Sequence, residues 1–107
     1  MAELNEGRAF AEWSVDDSGA TVVLLRGELD IASVEPIRAE VEKALSQAGN
    51  DSVTFDLSKL DFMDSSGLAL LVGASKRVGF VLIRQPSATI RRVIEVTGLD
   101  AVLRVDG

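Results

Sequence analysis

Two hydroxyls and a carboxylate interrupt an otherwise apolar stretch at residues 60–72, which reads LDFMDSSGLALLV. Asp64, Ser65, Ser66 and Gly67 stand directly before a second apolar segment. Asp and Ser side chains accept hydrogen bonds from the free N–H groups at a helix start, so capping by itself accounts for their types. An exposed hydroxyl at that place could also receive a phosphate, because free N–H groups and the positive end of the helix dipole favour an anion there. The stretch therefore allows a structural and a regulatory interpretation.

A catalytic interpretation of the same serines is poorly supported by the rest of the chain. A serine nucleophile needs an adjacent base, which is most often a histidine, and the chain contains neither His nor Cys. The letters DSSGL also lack the G-x-S-x-G spacing of a nucleophile elbow. Lys59 and Lys76 could act as bases in principle, but nothing in the pattern pairs either with Ser65. We expect a protein that is not an enzyme.

The acidic residues of this region do not form a metal-binding pattern. Asp56, Asp61 and Asp64 lie within nine positions, yet they lack the D-x-D-x-D-G order of a calcium loop. A solvated rim at the end of a strand explains them more simply. The chain also has no Gly-rich phosphate loop of the Walker type. We expect no metal and no cofactor.

Composition limits the partners and the location. The 107 residues suit one domain, and 47% hydrophobic residues argue against disorder. The formal net charge of −6 speaks against nucleic-acid binding and favours partners that are neutral or basic at the contact. The N-terminus lacks a secretory pattern, and no apolar run is long enough for a membrane span. We expect a flexible tail over residues 1–7, a single domain over 8–107, a cytoplasmic location, no membrane partner, and a monomer or weak dimer.

The hydrophobic pattern predicts the element order β-β-α-β-α-β-α-β. The first two strands, residues 8–15 and 21–29, form a hairpin around DDSGA, and later strands cover residues 52–57, 80–84 and 101–105. Alternating strands and helices indicate a small mixed α/β sheet of four to five strands, with helices mainly on one face.

Three helices are predicted between these strands. The first lies within residues 31–48, and since Pro36 fits only a first turn, Asp30 or Ser33 is the expected cap. An Arg38–Glu42 pair is expected to support it. The second helix covers residues 65–78, and the third follows Ser87. The inward positions expected of the first helix are Val34, Ile37, Val41, Ala44, Leu45 and Ala48, and those of the third are Ile90, Val93, Ile94 and Thr97.

Three ordered motifs resemble those of STAS domains, in particular the stand-alone anti-sigma factor antagonists of bacteria. FDLSKLDFMDSSGLALLVGASKR is similar to the central signature, LRGELDIAS to the first, and PSATIRRVIEVTGLDAVLRV to the C-terminal helix and final strand. The resemblance covers roughly residues 10–105. It implies the STAS fold and a partner-switching role as a regulator of transcription.

The resemblance implies specific partners. Similar family members bind an anti-sigma factor that is also a serine kinase, and this binding frees the sigma factor. The kinase, which itself holds the ATP, then phosphorylates a serine at the start of the second helix and the antagonist is released. A PP2C-type phosphatase restores the unphosphorylated form.

Carried over to this sequence, the resemblance makes Ser65 the phosphorylated residue. It places Asp64, Ser66 and Gly67 beside the acceptor on the partner-binding surface, with Gly67 allowing close approach of the partner backbone. Asp30 of GELD matches an acidic position of that surface. Apolar contact is implied for Leu68 and Leu71, although the burial tendency of leucine favours a core position for both by about two to one.

The chain departs from the family at one place, and a second function remains open. Relatives usually have a longer connection between the second helix and the following strand, whereas SKRVGFVLI is compressed here around Arg77 to Phe80. The helix could therefore be shorter, or the strand could begin later. The alternative function is a STAS-like accessory subunit of a membrane complex that transports lipids, which would share the fold and need no phosphorylation.

Overall fold

The computed structural model describes residues 9–106 and shows the predicted order of elements. The predicted tail over residues 1–7 lies outside the described residues. The strands are β1 (Phe10–Val15), β2 (Thr21–Leu29), β3 (Val53–Met63), β4 (Val81–Arg84) and β5 (Leu103–Asp106), and the helices are α1 (Val34–Ala48), α2 (Ser65–Ser75) and α3 (Ala88–Val96). A short 3₁₀ turn, Leu99–Ala101, precedes β5.

The five strands form one mixed sheet in the order β1-β2-β3-β4-β5. The β1–β2 hairpin is antiparallel, and every other neighbouring pair is parallel. Each helix connects two adjacent parallel strands, and the chain always steps to the same side. Right-handed crossovers of this kind place all three helices on one face of the sheet. The predicted α/β class and the placement of the helices are confirmed.

The core lies between the helices and the inner face of the sheet. Val23, Phe55 and Ile83 stand side by side in the strand register, and none of the three is exposed to solvent. All six inward positions predicted for α1 are buried. Full burial of an aliphatic or phenylalanine side chain stabilises a fold by about 1.5–3 kcal/mol, so this layer supplies the main stabilisation.

Strand β3 runs to Met63 instead of ending near Leu57 as predicted. The β2–β3 register shifts twice, between the pairs of Leu24 and Arg26 and again between those of Gly27 and Glu28. Each shift leaves one extra residue in β3, so the inward positions no longer alternate regularly. Gly27 has a φ of 87°, a left-handed conformation that glycine adopts without steric cost. Because of these bulges, the strict alternation of inward and outward residues that predicts a strand does not continue beyond Leu57.

The first helix begins at the later of its two predicted starts, and the second helix is shorter than predicted. Helix α1 begins at Val34, because Pro36 has no N–H and must lie among the first four helical residues. Helix α2 ends at Ser75, and β4 begins at Val81, so the compressed connection is accommodated by both changes.

Ion pairing on α1 also differs from the prediction. Arg38 pairs with Glu35 at 3.3 Å, and Glu42 instead accepts a hydrogen bond from Arg77 beyond the end of α2. The expected Arg38–Glu42 pair was therefore wrong, and Glu42 ties α1 to the connection between α2 and β4.

Helix α3 buries only part of its predicted inner face. Ser87 caps it by accepting a hydrogen bond from the Ile90 N–H at 3.2 Å, as predicted. Ile90 and Ile94 are buried, whereas Val93 and Thr97 are exposed, so those two inward assignments were wrong. The helix spans 9 residues, and a single stripe of i, i+4 positions suffices to hold it against the sheet.

Candidate functional site

The carboxyl ends of β2 and β3 bring the sequence-predicted site residues to one edge of the sheet. Leu29 and Met63 are register partners at the ends of these parallel strands. Asp30 and Asp64 follow them directly, and the Asp64 N–H donates to the Leu29 carbonyl at 3.1 Å. Two motifs that lie more than thirty residues apart in the chain therefore meet at a single surface.

Asp64 caps helix α2 and also binds the neighbouring loop. Its Oδ1 accepts hydrogen bonds from the N–H groups of Ser66 at 2.8 Å and Gly67 at 3.4 Å. Its Oδ2 accepts from the Ile31 N–H at 3.3 Å, across the gap between the two motifs. The capping interpretation is thus correct for Asp64, and the same carboxylate also holds the β2–α1 loop in place.

The two serines differ in their access to solvent. Ser65 is the first residue of α2 and is exposed, whereas Ser66 is half-buried. Because Asp64 already satisfies two amides of the helix start, the fold does not require the Ser65 hydroxyl. A phosphate on this hydroxyl would lie near the positive end of the helix dipole and next to the Asp64 carboxylate.

Gly67, Leu68 and Leu71 face the interior. A Cβ on Gly67 would lie 2.4 Å from the Met63 Cγ and 2.9 Å from two carbons of Leu29. The absence of a side chain at Gly67 therefore lets α2 pack on the ends of β2 and β3, a reason that differs from the expected approach of a partner. Leu68 is 9% exposed and Leu71 is fully buried. Core packing accounts for both leucines, and partner contact by Gly67 and Leu68 remains a prediction without support from their exposure.

The β2–α1 loop is ordered by Asp30 and Ser33. Asp30 Oδ1 accepts from the N–H groups of Ala32 at 3.1 Å and Ser33 at 3.0 Å. The Ser33 hydroxyl accepts from the Asp30 N–H at 3.0 Å and lies 2.9 Å from the Glu28 carbonyl, to which it can donate. Ser33 occupies the N-cap position of α1, but its side chain bonds backwards along the loop instead of capping the helix.

Sequence reasoning missed Ile31 on this loop. Its side chain is 77% exposed, more than that of any other large hydrophobic residue between positions 9 and 106. Ile31 precedes Val34 by three positions, which is the spacing of the inward face of α1, but it was assigned neither to that face nor to the site. Pro36 must lie in the first turn, so α1 begins after Ile31. This is the sequence signal that places Ile31 outside the buried face of the helix.

The opposite edge of the sheet carries an open depression of about 420 Å³. Its lining residues lie in the β1–β2 hairpin turn and directly before strands β3 and β4. They include Ser18, Ser52 and Phe80, respectively. Ser65 is at the other end of the parallel strands. Lys76 follows the last residue of α2, and eleven residues of helical rise separate it from Ser65 by about 16 Å. Ser65 therefore lies away from both the depression and Lys76, and neither of these features supports a role for Ser65 as a catalytic nucleophile.

None of the helices within residues 9–106 combines the length and the apolar character needed to cross a membrane. Among the same residues, no three or more acidic, His or Cys side chains come together as a metal-binding group.

Comparison with known proteins identifies what the chain resembles. The family model described as the STAS domain matches residues 14–106. An anti-sigma F factor antagonist of Lysinibacillus sphaericus is 38% identical over 82 residues, which cover 73% of this chain and 70% of the relative. An anti-sigma-B factor antagonist of Staphylococcus epidermidis is 34% identical, with coverage of 78% and 81%.

Solved structures give the same result. The unphosphorylated form of the anti-sigma factor antagonist SpoIIAA superposes with a TM-score of 0.71 and 28% identity, covering 92% of this chain and 89% of that chain. The phosphorylated form of SpoIIAA from Bacillus gives a TM-score of 0.66 with 28% identity and covers 92% of each chain. Both states of that protein thus share the fold described above.

Proposed function

The chain belongs to the STAS-domain family, and from this premise we propose that it is an anti-sigma factor antagonist whose binding is switched by phosphorylation of Ser65. In the unphosphorylated state it binds an anti-sigma factor and so releases a sigma factor. Relatives named as antagonists of anti-sigma factors cover most of the chain, which supports this role over that of a subunit in a lipid-transport complex. The protein acts by binding, and the phosphoryl transfer is carried out by its partners.

The observation that carries this proposal is the exposed hydroxyl of Ser65 at the first position of α2. A kinase can reach this hydroxyl without unfolding the domain, since no core residue covers it. The backbone around it is held by Asp64, whose bonds to Ser66 and Gly67 keep the helix start in one conformation. A partner can therefore recognise a preformed surface, which lowers the entropic cost of binding.

Charge explains why phosphorylation would end the complex. A phosphate brings about −1.5 to −2 charges to a surface that already presents the carboxylates of Asp30 and Asp64. Apolar or acidic groups of a partner that fit the neutral serine would then face an unpaired dianion, and removing such a charge from water is costly. The domain itself tolerates the phosphate, because the helix N-terminus favours an anion.

We assign the kinase activity to the anti-sigma factor, which would bind the ATP, and the reverse step to a PP2C-type phosphatase. The acidic balance of the chain favours basic groups on the anti-sigma factor where it meets Asp30, whereas the groups that face the neutral Ser65 hydroxyl beside Asp64 would be apolar.

Identification of the partner and of the acceptor tests the proposal directly. The tagged Ser65→Ala variant is purified from the source cells, and mass spectrometry identifies the anti-sigma factor that accompanies it. That factor, produced as a pure protein, is then incubated with ATP and the wild-type chain, Ser65→Ala or Ser66→Ala. Modification of the wild type and of Ser66→Ala, but not of Ser65→Ala, is expected. Modification of Ser65→Ala at Ser66 would contradict the assignment of the acceptor.

Calorimetry tests the charge mechanism separately. Ser65→Ala should bind the anti-sigma factor as tightly as the unphosphorylated wild type, whereas Ser65→Asp should bind at least about tenfold more weakly, because its carboxylate imitates part of the phosphate charge. Ser46→Asp, which adds the same charge to an exposed serine near the C-terminal end of α1, serves as the matched control and should bind like the wild type. Equal affinities of Ser65→Ala and Ser65→Asp would rule out a switch based on charge.

A further inference from the structure

Ile31, on the loop beside the start of α2, is a large hydrophobic residue that is exposed and lies outside the core. Ile31 has 77% of its surface in contact with solvent. Single exposed apolar residues are common, so exposure alone indicates nothing. What distinguishes Ile31 is its position at the site edge, where its main-chain N–H donates to Asp64 Oδ2 at 3.3 Å.

The loop that carries Ile31 is held in place on both sides. Asp30 Oδ1 accepts from the two amides that follow Ile31, those of Ala32 and Ser33. The Ser33 hydroxyl accepts from the Asp30 N–H in turn. With its own amide bound to Asp64, residue 31 presents its side chain from a main chain that is already ordered. A partner that buries this side chain would therefore lose little entropy on ordering the loop.

The surroundings of Ile31 match the composition of a binding hot spot. Ala32 beside it is small and exposed, and the Asp64 and Asp30 carboxylates accept hydrogen bonds from the N–H groups of residues 31 and 32. Interfaces commonly combine one apolar anchor that enters a pocket with a polar rim that remains wetter. Val96, the next most exposed large hydrophobic residue at 70%, lies on α3 and has no link to Asp64.

We propose that Ile31 is the apolar anchor by which the unphosphorylated chain binds its anti-sigma factor, entering a pocket of that partner while Asp30 faces basic groups at the pocket rim. This inference rests on the proposed function and adds a residue to it. The anchor and the acceptor share Asp64: one oxygen of that carboxylate binds the loop and the other binds the helix start. The partner would thus contact the apolar anchor and the switch residue together.

The test uses the full chain and the purified anti-sigma factor identified as above, with Kd measured by calorimetry. Ile31→Ala is expected to raise Kd about tenfold, as for a moderate hot-spot residue. Ile31→Leu, which keeps the apolar volume, should stay within about threefold of the wild type. Val96→Ala and Phe62→Ala, which truncate exposed apolar residues on α3 and near the end of β3, should change Kd less than about twofold.

The outcomes separate this inference from the function on which it rests. If the wild type and Ser65→Ala bind the anti-sigma factor and Ile31→Ala binds equally well, the anchor role is overturned while the proposed function stands. If Phe62→Ala weakens binding and Ile31→Ala does not, the apolar contact lies at Phe62 and the inference is wrong. If the wild type does not bind at all, both fail. Thermal unfolding of Ile31→Ala should match that of the wild type, because the exposed side chain contributes little to stability.

Discussion

Replacement of Gly67 by alanine tests how closely α2 packs on the end of the sheet. The added Cβ would lie 2.9 Å from both Cγ and Cδ2 of Leu29 and 2.4 Å from Cγ of Met63. Met63 is half-buried and can rotate away, but Leu29 has no exposed surface and no free space to enter. Overpacking of this kind costs about 1–3 kcal/mol, whereas alanine gains about 0.5–1 kcal/mol over glycine in a helix. The net result is a loss of about 1 kcal/mol, within a range of about 0–2.5 kcal/mol.

Gly73 offers a matched control on the same helix. A Cβ there would meet no atom within 4 Å, so Gly73→Ala should only gain the helical preference of alanine and stabilise the fold by about 0.5–1 kcal/mol. For a domain of this size, 1 kcal/mol corresponds to about 4–8 °C in Tm. Calorimetric or circular-dichroism melting should therefore show Gly67→Ala below the wild type and Gly73→Ala above it.

The order of the Tm values of the wild type, Gly67→Ala and Gly73→Ala tests whether close packing at Gly67 constrains α2. If Gly67→Ala melts at or above the wild type, α2 can shift without cost and the close approach to Leu29 does not constrain it. If it melts lower, the same displacement of the helix start should also weaken binding of the anti-sigma factor, because Ser65 lies two residues away on the first turn.

Three further changes probe the interactions around this core. Asp64→Ala should lower the free energy of unfolding by about 1–2 kcal/mol in urea titrations, because it removes the cap and the bond to Ile31. Asp64→Asn keeps one oxygen acceptor and should lower it by less. Equal losses for the two variants would show that one oxygen does not suffice to cap the helix. The pKa of Asp16 is held below its ordinary value of 3.8 chiefly by the Ser18 hydroxyl and then by the Ala20 amide, so its contribution to stability is present above about pH 3.8 and is lost as pH falls through the lowered pKa. Asp16→Asn should therefore flatten the acid limb of the stability curve, and an unchanged limb would speak against this linkage. Glu42→Ala should change stability by less than about 1 kcal/mol at low salt and by still less at high salt, since its pair with Arg77 is half-exposed.

Much of the fold could be predicted because its signals are local. The inward positions of α1 follow a 3.6-residue period, and all six proved buried. Pro36 restricted the start of this helix, and Ser87 capped α3 as its type suggested. The mixed sheet followed from the alternation of strands and helices. The predictions that failed, such as the end of β3 and the inner face of α3, depend on pairing between strands and on how far a helix reaches over the sheet.

The site was predictable only in part for the same reason. Ser65, Asp64 and Asp30 were recognised by their motifs, and the two motifs do meet at one edge. Gly67 and Leu68 were assigned to a partner surface by the family resemblance, whereas the helix turns both toward the interior. Ile31 was assigned no role, because its exposure and its place beside Asp64 depend on the tertiary structure.

The sequence by itself determined which residues could carry a switch: a serine after an aspartate at a helix start, in a chain without His or Cys. Tertiary structure alone decided which of them are available. The parallel pairing of β2 and β3 puts the loop beside the helix start, and Asp64 then bonds both, which leaves Ser65 and Ile31 exposed while Gly67 and Leu68 are buried. Local pattern specifies the type and spacing of side chains, but burial and proximity depend on segments that are distant in the chain.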